Sequence, residues 1–195
     1  MMEFFKRYSS LLTLALVGLV PLFNIQAVAQ KHIKFIAATA MGTSTQLGRV
    51  INIDLRITKY STPEDQKVLL QAFSENGSEG LANALDKMSS KGRMAITGTI
   101  GYDVNYIRMF TLPDGTEKLR FVTDRPIQFG EVWAGTRSRD YNISVVEIVI
   151  PKHTGGKTKM TGTLLPAAWP KLNKKGELEI ELYQNAWNLT NIRIQ

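Results

Sequence analysis

The chain has 195 residues, 44% of them hydrophobic and 21% charged, with a formal net charge of +7 and no cysteine. The missing thiols exclude disulfide staples, thiolate metal ligands and cysteine nucleophiles, so packing alone must hold the fold. Two histidines, His32 and His153, cannot make a structural zinc site.

Lys6 and Arg7 begin a positive n-region, Leu11 to Val20 is an apolar run, and Ala27-Val28-Ala29 is a small-x-small cleavage site. This pattern predicts a secretory signal peptide over 1–29, cut before Gln30. The apolar run is too short for a membrane span, which needs about 20 residues. Cleavage would leave 166 residues at net charge +6, enough for one domain with a real core. The expected compartment is the periplasm or the extracellular space.

Residues 30–47 are small, polar and without period, and read as a flexible leader before a single β-rich domain over 48–195. Ile51, Ile53, Leu55 and Ile57 alternate with polar residues, as a half-buried strand does. Thr62-Pro63-Glu64-Asp65 carries a capping threonine, proline at the first helical position and an acid three residues on. Val68, Leu69, Ala72 and Phe73 form one helical stripe, and Leu81, Ala84, Leu85 and Met88 form another. Asn76-Gly77 between them is a helix stop, and the segment reads as a helical hairpin inserted after the first strand.

From Arg93 strand signals dominate. Met94, Ile96 and Ile100 share a phase, and Gly101 with Asp103 suggests a turn. Val104–Leu112 and Glu117–Thr123 flank Pro113-Asp114-Gly115, the turn of a hairpin. Gln128–Ala134 reads as a strand carrying Trp133. Tyr141–Ile150 slips phase near Val145, which predicts a bulge or cover on both faces. Thr158–Leu165, then Leu178, Ile180 and Leu182, then Leu189, Ile192 and Ile194 complete the strands. Lys157 and Lys159 are placed opposite Glu177, Glu179 and Glu181, and Trp169 in a loop. The fold class is α+β: a mainly antiparallel sheet curled into a sandwich or partial barrel.

No P-loop, dinucleotide fingerprint, G-x-S-x-G elbow or calcium loop occurs, so no cofactor, no metal and no catalytic residue is assigned. The basic stretch from Lys152 to Lys175 lacks arginine and interleaved aromatics, which argues against specific nucleic-acid binding. Two clusters join arginine to aspartate at strand connections: Asp124-Arg125, and Arg137, Arg139 and Asp140. If a curled sheet gathered these loops, Arg125, Arg137 and Arg139 would form an anionic-ligand site with Asp124 and Asp140 beside them. The competing reading is that the aspartates pair with the arginines and only order the loops.

Thr123-Asp124-Arg125-Pro126-Ile127 and Arg137-Ser138-Arg139-Asp140-Tyr141 resemble segments of a group of uncharacterised exported bacterial proteins. The resemblance spans Gly48 to Gln195 and implies export but no activity. The expected function is a non-catalytic envelope protein binding a ligand or partner, either an anionic or apolar small molecule or an envelope protein. The alternatives are a barrel carrying a small apolar ligand, and a hydrolase using Asp124, Asp140 or Glu131 with nearby arginine.

Overall fold

The computed structural model describes residues 34–43, 46–127, 142–152, 159–172, 178–181 and 186–195. Along the chain run β1 (Phe35–Gly42), β2 (Val50–Ile57), α1 (Pro63–Lys87), β3 (Gly92–Ile96), β4 (Tyr102–Val104), β5 (Tyr106–Thr111), β6 (Glu117–Val122), β7 (Ile143–Ile150), β8 (Thr161–Leu172), β9 (Leu178–Glu181) and β10 (Trp187–Ile194). Every described pairing is antiparallel. The sheet order is β4-β3-β2-β1-β10-β8-β7-β6-β5, with β9 added to β8.

The two ends of that order, β4 and β5, are separated only by Asn105. They are successive parts of one bent strand, so the sheet curls into a nearly closed barrel. β4 pairs with β3 and β5 pairs with β6. Where the β3 pairing stops, Ser61 takes over: its N–H donates to the Ile107 carbonyl at 2.7 Å and its hydroxyl accepts from the Ile107 N–H at 3.0 Å.

Alternation along the strands aims one set of side chains inward. Ile36, Ile53, Leu55, Met94, Ile107, Leu119, Phe121, Val146, Ile148, Leu164 and Trp187 pack there as one buried cluster. A barrel of about eight strands is just wide enough for side chains to fill it. Two irregularities keep the phase right. Asn191, at φ 49, is the extra residue of a bulge in β10, which lets Trp187 and Leu189 before it and Ile192 after it all reach the interior. In β8, Pro166 lies at the register shift opposite Ser144, where a missing N–H costs no ladder bond.

Residues 35–42, expected in the leader, form β1, which pairs with both β2 and β10. Its inward residues Ala38 and Ala40 are too small to register as a strand stripe, although both are buried. The expected helical hairpin is one helical element, α1, broken by a kink. Asn76 (φ −134°, ψ 18°) and Gly77 (φ 59°, ψ −147°) leave helical geometry and join two helical stretches there, and the bend is sharp enough that a Cβ on Gly80 would meet the Ala72 carbonyl oxygen. Its start is as predicted: the Thr62 hydroxyl accepts from the Asp65 N–H at 3.2 Å, and the Asp65 carboxylate accepts from the Thr62 N–H at 2.9 Å. The element follows the second strand, not the first.

α1 lies across the outer face of β5 to β8. Leu69, Leu81 and Leu85 pack on Tyr106, Val122, Ile143, Val145, Leu165 and Ala168 as a second core. β7 is therefore covered on both faces, which accounts for its slipped phase; the extra residue of the adjoining bulge lies in β8. The Pro113-Asp114-Gly115 turn is as expected, with Gly115 at φ 80° and the Thr116 N–H donating to Asp114 at 2.8 Å. Ile100 belongs to the β3–β4 turn, not to a strand, and is exposed. Trp169 is in β8, in register with Glu181, and Lys171 is in register with Glu179; Glu177 lies outside the described residues. Gln128–Ala134, with Trp133 and Glu131, lies outside the described residues, as do Lys157, Leu182 and both histidines.

Candidate functional site

Arg125 and Asp124 follow β6. The Arg125 guanidinium grips Asp124 with both arms, Nε to Oδ1 at 2.9 Å and Nη2 to Oδ2 at 2.5 Å, and reaches Asp86 of α1 at 3.8 Å. The Asp124 side chain is 7% exposed against 63% for Arg125. The hydrogen bond from Arg125 holds the Asp124 carboxyl below the ordinary carboxylate range. Such a carboxylate stays ionised, orders its loop and is a poor proton donor at neutral pH. Arg137, Arg139 and Asp140 lie outside the described residues, as does Glu131.

A second polar centre lies on the outer face of the β5–β6 hairpin, under the first half of α1. The register places Arg108 of β5 directly opposite Arg120 of β6, and Arg120 directly opposite Glu147 of β7. Arg120 donates to Glu147 Oε1 from Nε at 2.7 Å and from Nη2 at 2.6 Å, while Lys118 reaches Oε2 at 3.2 Å. These three side chains are 18%, 22% and 30% exposed for Arg120, Glu147 and Lys118. Arg108 meets no carboxylate among the described residues. Its guanidinium donates to the Gln66 side-chain oxygen, neighbours the Tyr106 hydroxyl, and lies over the Phe110 ring at 5.6 Å. Arg120 stacks on the same ring at 5.3 Å. Burial raises the Tyr106 pKa against the opposing pull of Arg108, so its hydroxyl remains protonated.

Beside this row opens a groove of about 610 Å³ between α1 and the sheet. Leu69, Leu70, Leu81 and Leu85 come from the helix, Tyr106, Val122 and Ile143 from the barrel, and Ile180 from β9. Gln66, Arg108, Lys118 and Arg120 line it as well. An apolar concavity of this size with a few convergent polar groups is the usual form of a small-ligand site. The barrel interior, by contrast, is a packed core.

None of the groove's cations was among the expected site residues. The turn at Pro113-Asp114-Gly115 held the signal. A hairpin symmetric about Asp114 puts Arg108 across from Arg120, and alternation puts both with Lys118 on the face opposite Leu119 and Phe121. Glu147 joins them only through the β6–β7 register, which no local pattern reveals.

Among the described residues no cluster of three or more histidines and acids has metal-site geometry, and no helix is long and apolar enough to cross a membrane. Comparison with known proteins returns no matching family model, no matching curated protein and no matching solved structure.

Proposed function

We propose that the chain is an exported, non-catalytic protein that binds a small ligand in the groove between α1 and the outer face of the β5–β6–β7 sheet. One observation carries the reading. The groove joins an apolar floor to a wall with three cations, two of them paired with the adjacent Glu147, while the barrel interior is filled by its own side chains. The packed interior disfavours a carrier that holds its ligand inside the barrel. The paired, ionised Asp124 disfavours a hydrolase built on that residue. Export rests on the n-region, the apolar run and Ala27-Val28-Ala29.

Binding is tested with Nile red, a neutral apolar fluorophore. Saturable, one-to-one fluorescence enhancement is expected, and Leu70→Trp, which fills the groove from the helix side, should remove it while leaving the fold intact. Absence of saturable binding, or binding indifferent to Leu70→Trp, refutes the assignment. N-terminal mass analysis of protein from its native host tests export. A mature chain still carrying Leu11 to Val20 refutes it.

A further inference from the structure

We infer that the ligand is a single-chain amphiphile with an anionic head, of which a long-chain carboxylate is the simplest member. Its head would meet Arg108 and Lys118, and its tail would lie on Leu70, Phe110 and Ile180, the half-buried apolar part of the lining. The inference rests on the groove being a ligand site and adds the chemistry of what fills it.

The arrangement of charge carries the argument. Like charges directly opposite on neighbouring strands destabilise a sheet, yet Arg108 faces Arg120. One carboxylate, Glu147, serves two of the three cations. Arg120 engages it through two nitrogens, and Lys118 holds it at the longer distance of 3.2 Å. That leaves Arg108 with neutral partners only, among the described residues: Gln66, the Tyr106 hydroxyl and the Phe110 ring. The nearby Asp65 is already taken by Lys91 at 3.0 Å. The wall therefore carries an excess of two positive charges beside a leucine floor. A half-buried guanidinium without an acid gains from a carboxylate or phosphate that completes its fork.

Each half of the groove favours a ligand of both characters over a simpler one. A neutral hydrocarbon would cover the leucines but shield Arg108 further with no counter-charge, which is costly. A small inorganic anion would satisfy the arginine and leave the half-buried apolar lining at Leu70 and Ile180 wet. A nucleic-acid chain would find two aromatic rings here, Tyr106, which is buried, and Phe110, with a guanidinium already stacked on it at 5.3 Å and another at 5.6 Å. Only a molecule with both characters fits the whole surface, and the groove's volume lies within the usual range for such sites.

The experiment compares dodecanoate with dodecanol by calorimetric titration of the full mature chain, each below its aggregation limit. Dodecanoate is expected to bind about tenfold or more tightly than dodecanol, the usual worth of a charge-assisted hydrogen bond. Arg108→Gln should remove most of that difference, and Lys118→Gln should reduce it if Arg108→Gln does not fold. Equal binding of the two compounds to the wild type overturns the anionic head and leaves the groove assignment standing. Binding of neither, together with loss of Nile red binding, overturns the groove assignment itself. Unchanged dodecanoate affinity in both variants overturns the placement of the head. Sedimentation with phosphatidylglycerol vesicles without binding of free dodecanoate assigns the cations to a membrane surface and overturns the proposal.

Discussion

Gly77→Ala separates two pictures of α1 by the sign of its effect. In an uninterrupted helix interior, alanine is better than glycine by about 1 kcal/mol, so the substitution would stabilise the protein. Here Gly77 sits at φ 59°, ψ −147°, a region that residues with a Cβ reach only at about 1–3 kcal/mol. Nothing lies within 4 Å of the added methyl, so the whole cost is backbone conformation, not a clash. The unfolded chain loses freedom on gaining a Cβ, which returns about 0.4–1 kcal/mol. The net expectation is a loss of about 1–2 kcal/mol, or roughly 3–6 °C in melting temperature for a domain of this size. Urea denaturation followed by far-ultraviolet circular dichroism measures it, with an unchanged slope confirming that the same surface unfolds. Stabilisation by Gly77→Ala would show that α1 runs straight through residue 77 and would refute the kink.

Leu85 is fully buried between α1 and the sheet, so Leu85→Ala should cost about 2–3 kcal/mol, toward the low end for a core leucine because the void opens onto the groove already there; a loss under about 0.5 kcal/mol in urea melts would show that the helix does not cover a core. Asp65 is pushed up by burial, but the Thr62 N–H and Lys91 outweigh that and hold it below its ordinary value. Its contribution is therefore present above the ordinary aspartate pKa and fades as pH falls through the lower, folded value. Asp65→Asn should cost about 1–3 kcal/mol at pH 7, because it leaves the buried Lys91 ammonium unpaired, and the difference from wild type should shrink toward pH 3 in pH-resolved thermal melts. Arg125→Ala should destabilise by about 1–2 kcal/mol and raise the Asp124 pKa, read by carboxyl carbon NMR titration; an unaltered melting temperature would mean that the Asp124 fork is not what orders the loop.

Much of the fold is written in local patterns because the forces behind them are local. The alternation at Ile51 to Ile57, the capping box at Thr62 and the turn at Asp114 each depend on a few neighbouring residues, and all three are where the sequence places them. β1 was illegible because its inward side chains at 38 and 40 are alanines, which bury little area and mark no stripe; it is a strand because β2 and β10 flank it on both sides. Asn76-Gly77 reads as a helix stop in isolation. Leucines on both sides of it, Leu69 before and Leu81 and Leu85 after, meet the same sheet face, and that shared burial holds the two halves in one kinked element. The site divides the same way. Asp124 and Arg125 are adjacent in sequence, so their pairing needs little more than backbone geometry. The row Arg108–Arg120–Glu147 is assembled from three strands by registers that depend on barrel closure and on which face α1 covers. By itself the sequence determined the strand at 50–57, the start of α1 and the β5–β6 hairpin turn, because propensity and capping act within a turn or two of chain. Only the tertiary structure decided that three cations gather beside a leucine floor with one acid that pairs two of them, because side-chain proximity across strands is set by packing, not by position along the chain.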